Sequence, residues 1–315
     1  MIDTYFKVHE HGYVALKDKM GSDESIEQAA RVSYGKGTRK KSDTEQLIRY
    51  LRRHQHTTPF ESVTMTFHVK LPIFVERQWI RHRTASTSEA SLRYSEAIDD
   101  FYIPKQFLKQ SKNNKQGSEG SIDEQENSRN TCSETIGNSF GAYRHLLHYG
   151  VSRELARIVL PVSNYTKKFW TVNLHNLFHF LKLRLNPHAQ KEIRDYAHVI
   201  ACIVKEEYPI AFKSFLDYDF NRIAMRHEEL HALALSYDHL DEECIDILKE
   251  ANYSDREIQE WKDKLDFYPV PLDHFDVTKH EFGEDHRQFG RRELHRLNSS
   301  LRPGAWLEAL PRKKR

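Results

Sequence analysis

The strongest alternation of apolar and polar positions lies at Val63-Thr-Met-Thr-Phe-His-Val69, where Val63, Met65, Phe67 and Val69 fall on one face. β-Branched and aromatic side chains at a period of two predict a half-buried strand. Tyr13-Val-Ala-Leu-Lys17 predicts a second strand within residues 1–20. Elsewhere the period is helical. Ile26, Ala29 and Ala30 follow Gly21-Ser22, and Ser25 with Gln28 reads as a capping box. Leu47, Ile48 and Leu51 follow a second such box, Ser42 with Glu45, in a helix that runs to about Arg53. Pro72 at a first helical position opens a stretch to Ile80. Residues 134 to 216 read as helical throughout. Within them Thr171–Arg184 is one long stretch, and Ile193, Tyr196, Ala197, Ile200, Ile203 and Val204 keep the 3.6 spacing between Asn186-Pro187 and Pro209. Residues 109–133 are polar except for Ile122 and Cys132 and predict a flexible insertion or long loop outside the core. From about Tyr218 the chain turns charged and His-rich, with helices expected at 226–236, at 239–251 and from Ser254.

Residues 78 to 95 obey neither period. They hold Arg81, His82, Arg83 and Arg93 among Ser86, Ser88, Ser91 and Ser95, with Glu89 as the sole acid. Three guanidiniums and an imidazole with so little neutralisation suit an anion, and phosphate fits the planar donor fork of Arg. A solvated basic loop is the plain alternative.

Composition narrows the options. The 315 residues allow one large domain or a domain with an extension. Basic and acidic residues nearly balance, 48 against 46, which argues against a dedicated nucleic-acid binder. An RNA- or nucleotide-binding module built on the basic stretch stays open as a third reading. The three cysteines, Cys132, Cys202 and Cys244, are far apart and odd in number, as expected in a reducing compartment. No basic segment followed by an apolar run stands near Met1, and no apolar run approaches the roughly 18 residues of a membrane span. A soluble, cytoplasmic chain is the expectation. P-loop, Rossmann and G-x-S-x-G patterns are absent, and no cysteine lies in the basic stretch to act as a thiolate.

Two histidine patterns call for weighing among 19 His. His175 and His179 are i, i+4 neighbours beside Asn173 and Asn176, and Arg184 closes the same run. The pair is a metal candidate without a nearby third ligand, or two ordinary satisfied side chains. Arg184 either complements a helix dipole or is held at a site. His227-Glu-Glu-Leu-His231 matches H-E-x-x-H, but Ala234 and Tyr237 break the metzincin continuation. Glu242 or Glu243 would have to complete a zinc site.

Arg81-His82-Arg83, then Ser86, Glu89, Ser91, Arg93 and Tyr94, resemble the signature of flavin-dependent thymidylate synthases. Ala30-Arg-Val-Ser33, Thr58-Pro-Phe-Glu61, Phe67-His-Val-Lys70 and Arg77-Gln-Trp79 precede it in family order. Arg153-Glu-Leu-Ala-Arg157, Leu160-Pro161, Asn173, Leu183-Arg184 and His188-Ala-Gln190 follow. The resemblance covers about residues 1–217. It implies an α+β catalytic domain there, of mixed helices and antiparallel sheet, with residues 218–315 as a mainly helical extension. It implies methylation of dUMP to dTMP by methylenetetrahydrofolate, with FAD carrying hydride from NADPH and no cysteine nucleophile. Ser33, Thr58, Arg81, His82, Arg83, Glu89, Asn173, His175 and His179 would hold FAD. Gln78, Arg81, Glu89, Ser91, Arg93, Arg157 and Arg184 would hold dUMP, with Arg184 stabilising charge on the uracil. A homotetramer without metal, nucleic-acid or membrane partners is implied. Ser62, Ser88, His175 and His179 stand where many members carry His, Asn, Arg and Asn.

Overall fold

The computed structural model describes residues 1–32 and 43–225, together with isolated helical positions 229, 245, 246, 249, 250, 258 and 259. Ser33, Ser42 and the His227–His231 pair lie outside the described residues, as do the expected C-terminal helices save for those positions. One compact unit includes Met1–Phe215, and a second begins at Leu216 with a π-helical turn, Leu216–Phe220.

The chain opens with strands β1 (Tyr5–Val8) and β2 (Gly12–Met20), then helices α1 (Asp23–Ala30), α2 (Thr44–Arg53) and α3 (Thr58–Glu61). Strand β3 (Thr64–Pro72) leads into α4 (Ile73–Trp79) and strand β4 (Ser86–Glu89). A hairpin of β5 (Leu108–Gln110) and β6 (Ser118–Ser121) precedes α5 (Gln125–His148) and α6 (Arg153–Ala156). Strand β7 (Tyr165–Asn173) runs into α7 (Leu174–Arg184), followed by α8 (Lys191–Glu207) and α9 (Pro209–Phe215). Five strands form one antiparallel sheet in the order β1-β2-β3-β7-β4.

The β3 alternation is as read, with Met65, Phe67, Val69 and Leu71 buried and Thr64, Thr66, His68 and Lys70 on the opposite, half-buried face. On the packed face Trp79 of α4 meets Trp170 of β7 at 5.2 Å and Phe180 of α7 at 4.7 Å between ring centroids. Such pairs add about 0.5–1.5 kcal/mol each beyond area burial. The interior face of α8 is also as read, with Ile193, Tyr196, Ala197, Ile200, Ile203 and Val204 buried. Tyr196 crosses to the sheet and donates to the Lys70 carbonyl at 2.8 Å. Its hydroxyl comes so near Gly12 that a Cβ there would stand 2.1 Å away, so the tight β1–β2 connection needs glycine.

Several sequence expectations are corrected. Residues 134–216 are not uniformly helical. Strand β7 lies among them, and Thr171–Asn173 end that strand instead of opening a helix, leaving Asn173 as the N-cap of α7. Residues 109–133 are not an unstructured insertion. They hold an exposed hairpin and the first turns of α5, whose buried positions begin only at Ile136. Pro72 closes β3, and α4 starts one residue later, its first amides donating to the carbonyls of Asn164 (2.9 Å) and Val162 (3.0 Å). Helix α1 is capped at Ser22, whose amide donates to Ser25 Oγ at 3.0 Å, so Ser25 is the third helical residue and not the cap. Asp43 caps α2, accepting from the Gln46 amide at 2.8 Å. Helix α8 starts after Gln190, and Asn186-Pro187 belong to the turn before it. No helix among the described residues is long and apolar enough to cross a membrane.

Candidate functional site

Helix α4 stops where Trp79 is locked into the aromatic core, and the His82 amide closes the next turn onto the Trp79 carbonyl at 2.9 Å. Arg81, His82 and Arg83 are thereby presented beside the C-terminal turn of α7. Arg184, in that turn, donates from Nε to His82 Nε2 at 3.0 Å and from a terminal nitrogen to the Gln78 carbonyl at 3.2 Å. A guanidinium has donors only, so His82 Nε2 accepts and the ring proton sits on Nδ1. Burial pushes His82 down to about 4, helped by the charges of Arg184, His179 and Lys168. The imidazole is neutral at pH 7 and cannot compete with Arg184 for an anion. Burial also lowers the Arg184 pKa, but a guanidinium stays charged at neutral pH.

These groups line a cleft of about 280 Å³ with Thr84, Trp170, Val172, Asn176, His179 and Leu183. Trp170, Val172 and Leu183 supply an apolar wall. Among the described residues no carboxylate lies within ion-pair distance of Arg81, Arg83 or Arg184. Three uncompensated guanidiniums beside an apolar wall suit a flat ring system that carries phosphate.

The remaining sequence-derived residues divide. Thr58 opens α3, which packs on α7 through Phe60 and Phe178. Asn173 spends its side-chain oxygen on the α7 cap, accepting from the Asn176 amide at 2.9 Å and from Asn176 Nδ2 at 2.8 Å. His175 is half-buried one turn before His179 and does not line the cleft. Glu89 sits on the edge strand β4, accepts from the Thr166 hydroxyl at 2.8 Å and is paired in register with Lys168. Gln78 makes a side-chain hydrogen bond to Gln190.

Ser91, Arg93 and Arg157 line a different patch. Helix α6 is held there by Phe140 and Tyr143 of α5 against Ala156, and Tyr143 accepts from the Ala97 amide at 3.0 Å. Arg93 Nε pairs with Glu154 at 3.0 Å, Arg157 Nε donates to the Glu154 carbonyl at 3.3 Å, and the Arg93 amide donates to Ser91 Oγ at 3.3 Å. The expected nucleotide set is thus split between two places on one chain. The cleft residues that sequence reading did not assign are Thr84, Trp170, Val172, Asn176 and Leu183. Trp170 and Val172 alternate, which is a strand signal, and Asn176 stands three residues before His179 on one helical face. Among the described residues no three His, Cys, Asp or Glu side chains cluster as metal ligands.

Comparison with known proteins identifies the family. The family described as "Thymidylate synthase complementing protein" matches residues 15–210. A flavin-dependent thymidylate synthase of Thermus thermophilus is 52% identical over 226 residues, covering 72% of this chain and 83% of its own. One from Dictyostelium discoideum is 47% identical over 243 residues, covering 72% of this chain and 78% of its own. The crystal structure of a UMP/dUMP methylase, PolB from Streptomyces cacaoi, bound with 5-Br dUMP, superposes with a TM-score of 0.62 at 34% identity, covering 68% of this chain and 98% of that one. The chain belongs to the flavin-dependent thymidylate synthase family.

Proposed function

We propose that this chain methylates dUMP to dTMP, with 5,10-methylenetetrahydrofolate as one-carbon donor, FAD as hydride carrier, NADPH as reductant and no cysteine nucleophile. The observation that carries the reading is the cleft in which Arg81, Arg83 and Arg184 have no acidic partner among the described residues and face the Trp170 wall. The cleft's donor set fits a flavin dinucleotide, with Arg81 and Arg83 for the pyrophosphate and His82 and His179 for polar contacts. Thr58, Glu89, Asn173, His175 and Ser33, the last outside the described residues, are carried over from the family resemblance. Bound there, FAD would supply hydride taken from NADPH. Cys132 in α5 and Cys202, buried in α8, stand outside the cleft lining, in keeping with chemistry that does not use a thiolate.

The chain's own groups have the following roles in this reading. Arg184 is the catalytic cation. Its guanidinium is oriented in advance by His82 Nε2 and the Gln78 carbonyl, so it can meet negative charge developing on uracil without reorganising. Neutral His82 holds Arg184 without repelling it. Gln78, Arg81 and Glu89 position the nucleotide, and Ser91, Arg93 and Arg157 receive its phosphate. For Arg93 the phosphate displaces Glu154, an exposed ion pair worth about 0–1 kcal/mol.

A homotetramer whose sites combine residues of several subunits would join the Arg81–Arg83 cleft to a Ser91–Arg93–Arg157 patch, which lie apart on one chain. We read the enzyme as cytoplasmic on its sparse, odd-numbered cysteines. The test is to supply purified chain with FAD, NADPH, methylenetetrahydrofolate and dUMP and to measure dTMP. Formation of dTMP with NADPH oxidation that depends on dUMP is expected. Intact, flavin-loaded protein that forms no dTMP would overturn the proposal.

A further inference from the structure

Lys168 is fully buried in β7, a position that strand chemistry seldom gives to lysine. Its ammonium pairs with Glu76 of α4 and lies 4.3 Å above the Trp79 ring and 5.9 Å from that of Trp170. Glu76 Oε1 and Trp79 Nε1 have no hydrogen-bond partner. A buried ion pair of this kind contributes little net stability, and apolar residues of similar volume often serve the fold as well. Stability therefore does not account for Lys168.

Topology suggests what does. The Arg81–Arg83 turn joins the end of α4 to the start of β4. Glu76 is one turn before the end of α4. On the far side, β4 is an edge strand of four exposed residues with no apolar anchor. Cross-strand partners in an antiparallel pair share a face. Glu89, opposite Lys168, therefore lies on the packed side, as does Thr87 opposite Trp170. Lys168 ion-pairs with Glu76, while Glu89, its cross-strand partner, accepts from the Thr166 hydroxyl at 2.8 Å.

We infer that Lys168 is a positioning residue that draws Glu76 and Glu89 toward one ammonium, fixing both flanks of the Arg81–Arg83 turn and with them the cleft. Lys168 is buried and does not line the cleft, so it works through these two carboxylates. The inference rests on the proposed role of the turn, but its test uses the unliganded chain and so stands or falls separately from the enzyme assay.

Amide hydrogen exchange would be measured at His82, bonded to the Trp79 carbonyl, and at Ala90, bonded to the Lys167 carbonyl at 2.8 Å. The E76L/K168M double variant replaces the pair with apolar groups. Its melting temperature is expected within about 5 °C of wild type, while both amides exchange roughly tenfold faster. K168R keeps the charge and is expected to keep wild-type exchange. A stable double variant with wild-type exchange at both amides overturns the inference. Should the double variant not fold, E89Q decides: it leaves the buried pair intact, and unchanged exchange at Ala90 overturns the inference while roughly tenfold faster exchange supports it.

Discussion

Replacing Arg184 with Met tests how the cleft is tuned. Methionine keeps most of the buried volume and removes the charge that stands 3.0 Å from His82 Nε2. Two unit charges about 4 Å apart repel by roughly 1 kcal/mol with water-like screening and roughly 4 kcal/mol at an effective dielectric of 20. His82 and Arg184 are both partly exposed, so the lower part of that range applies. One pKa unit corresponds to about 1.4 kcal/mol, so His82 should rise by about one unit, from about 4 toward about 5. Burial, the largest cause of the depression, remains in the variant. The assay is an NMR titration of the His82 imidazole in the unliganded chain, with His82→Gln to assign the signal. In the loaded enzyme the same substitution should leave FAD affinity near wild type and lower kcat by about 10²–10³-fold, the loss typical of a preorganised electrostatic donor. A wild-type His82 that titrates at its ordinary value would refute the burial argument. An unmoved His82 in the variant would show that Arg184 does not set the field, and near-normal turnover would remove its catalytic role.

Other outcomes follow from named contacts. The folded His82 pKa is depressed below the unfolded value, so its contribution is present above about pH 6.5 and is lost as pH falls toward about 4. Urea unfolding at a series of pH values should show this loss, and His82→Gln should flatten it. Asn173→Ala removes the α7 cap and should lower stability by about 1 kcal/mol, read as a shifted urea midpoint with unchanged slope. Glu76→Ala leaves the Lys168 ammonium buried without its carboxylate and should cost about 3–5 kcal/mol by the same measurement, far more than removing both charges together.

Legibility followed burial. β3 was readable because it is buried on one face and half-exposed on the other, so its side chains alternate in kind. β7 was missed because Lys168 occupies a buried position that pattern reading expects to be apolar, while Phe169, on the other face, is 45% exposed. Only tertiary pairing with Glu76 explains that lysine, and nothing local announces it. β4 has no buried side chain and therefore no pattern. The start of α5 is solvated, so its polar residues resemble a loop until Ile136, Phe140 and Tyr143 mark the buried stripe. At the site, the Arg81–Arg83 cluster was legible as uncompensated charge, and Arg184 only as a cation closing an apolar run, either a dipole partner or a site residue. Their junction through His82 was not, since it depends on α7 returning beside the turn. The separation of Arg93 and Arg157 from the cleft was equally hidden, because sequence order carries no information on which guanidinium finds Glu154.

The most direct test of the central claim, that the Arg81 and Arg83 guanidiniums of the cleft hold the flavin, is FAD affinity in wild type and in the Arg81→Ala/Arg83→Ala variant. Each lost charged hydrogen bond should cost roughly 1.5–3 kcal/mol, so affinity should fall by at least about a hundredfold while the fold and melting temperature are kept. Equal FAD affinity in the two folded proteins would contradict the account.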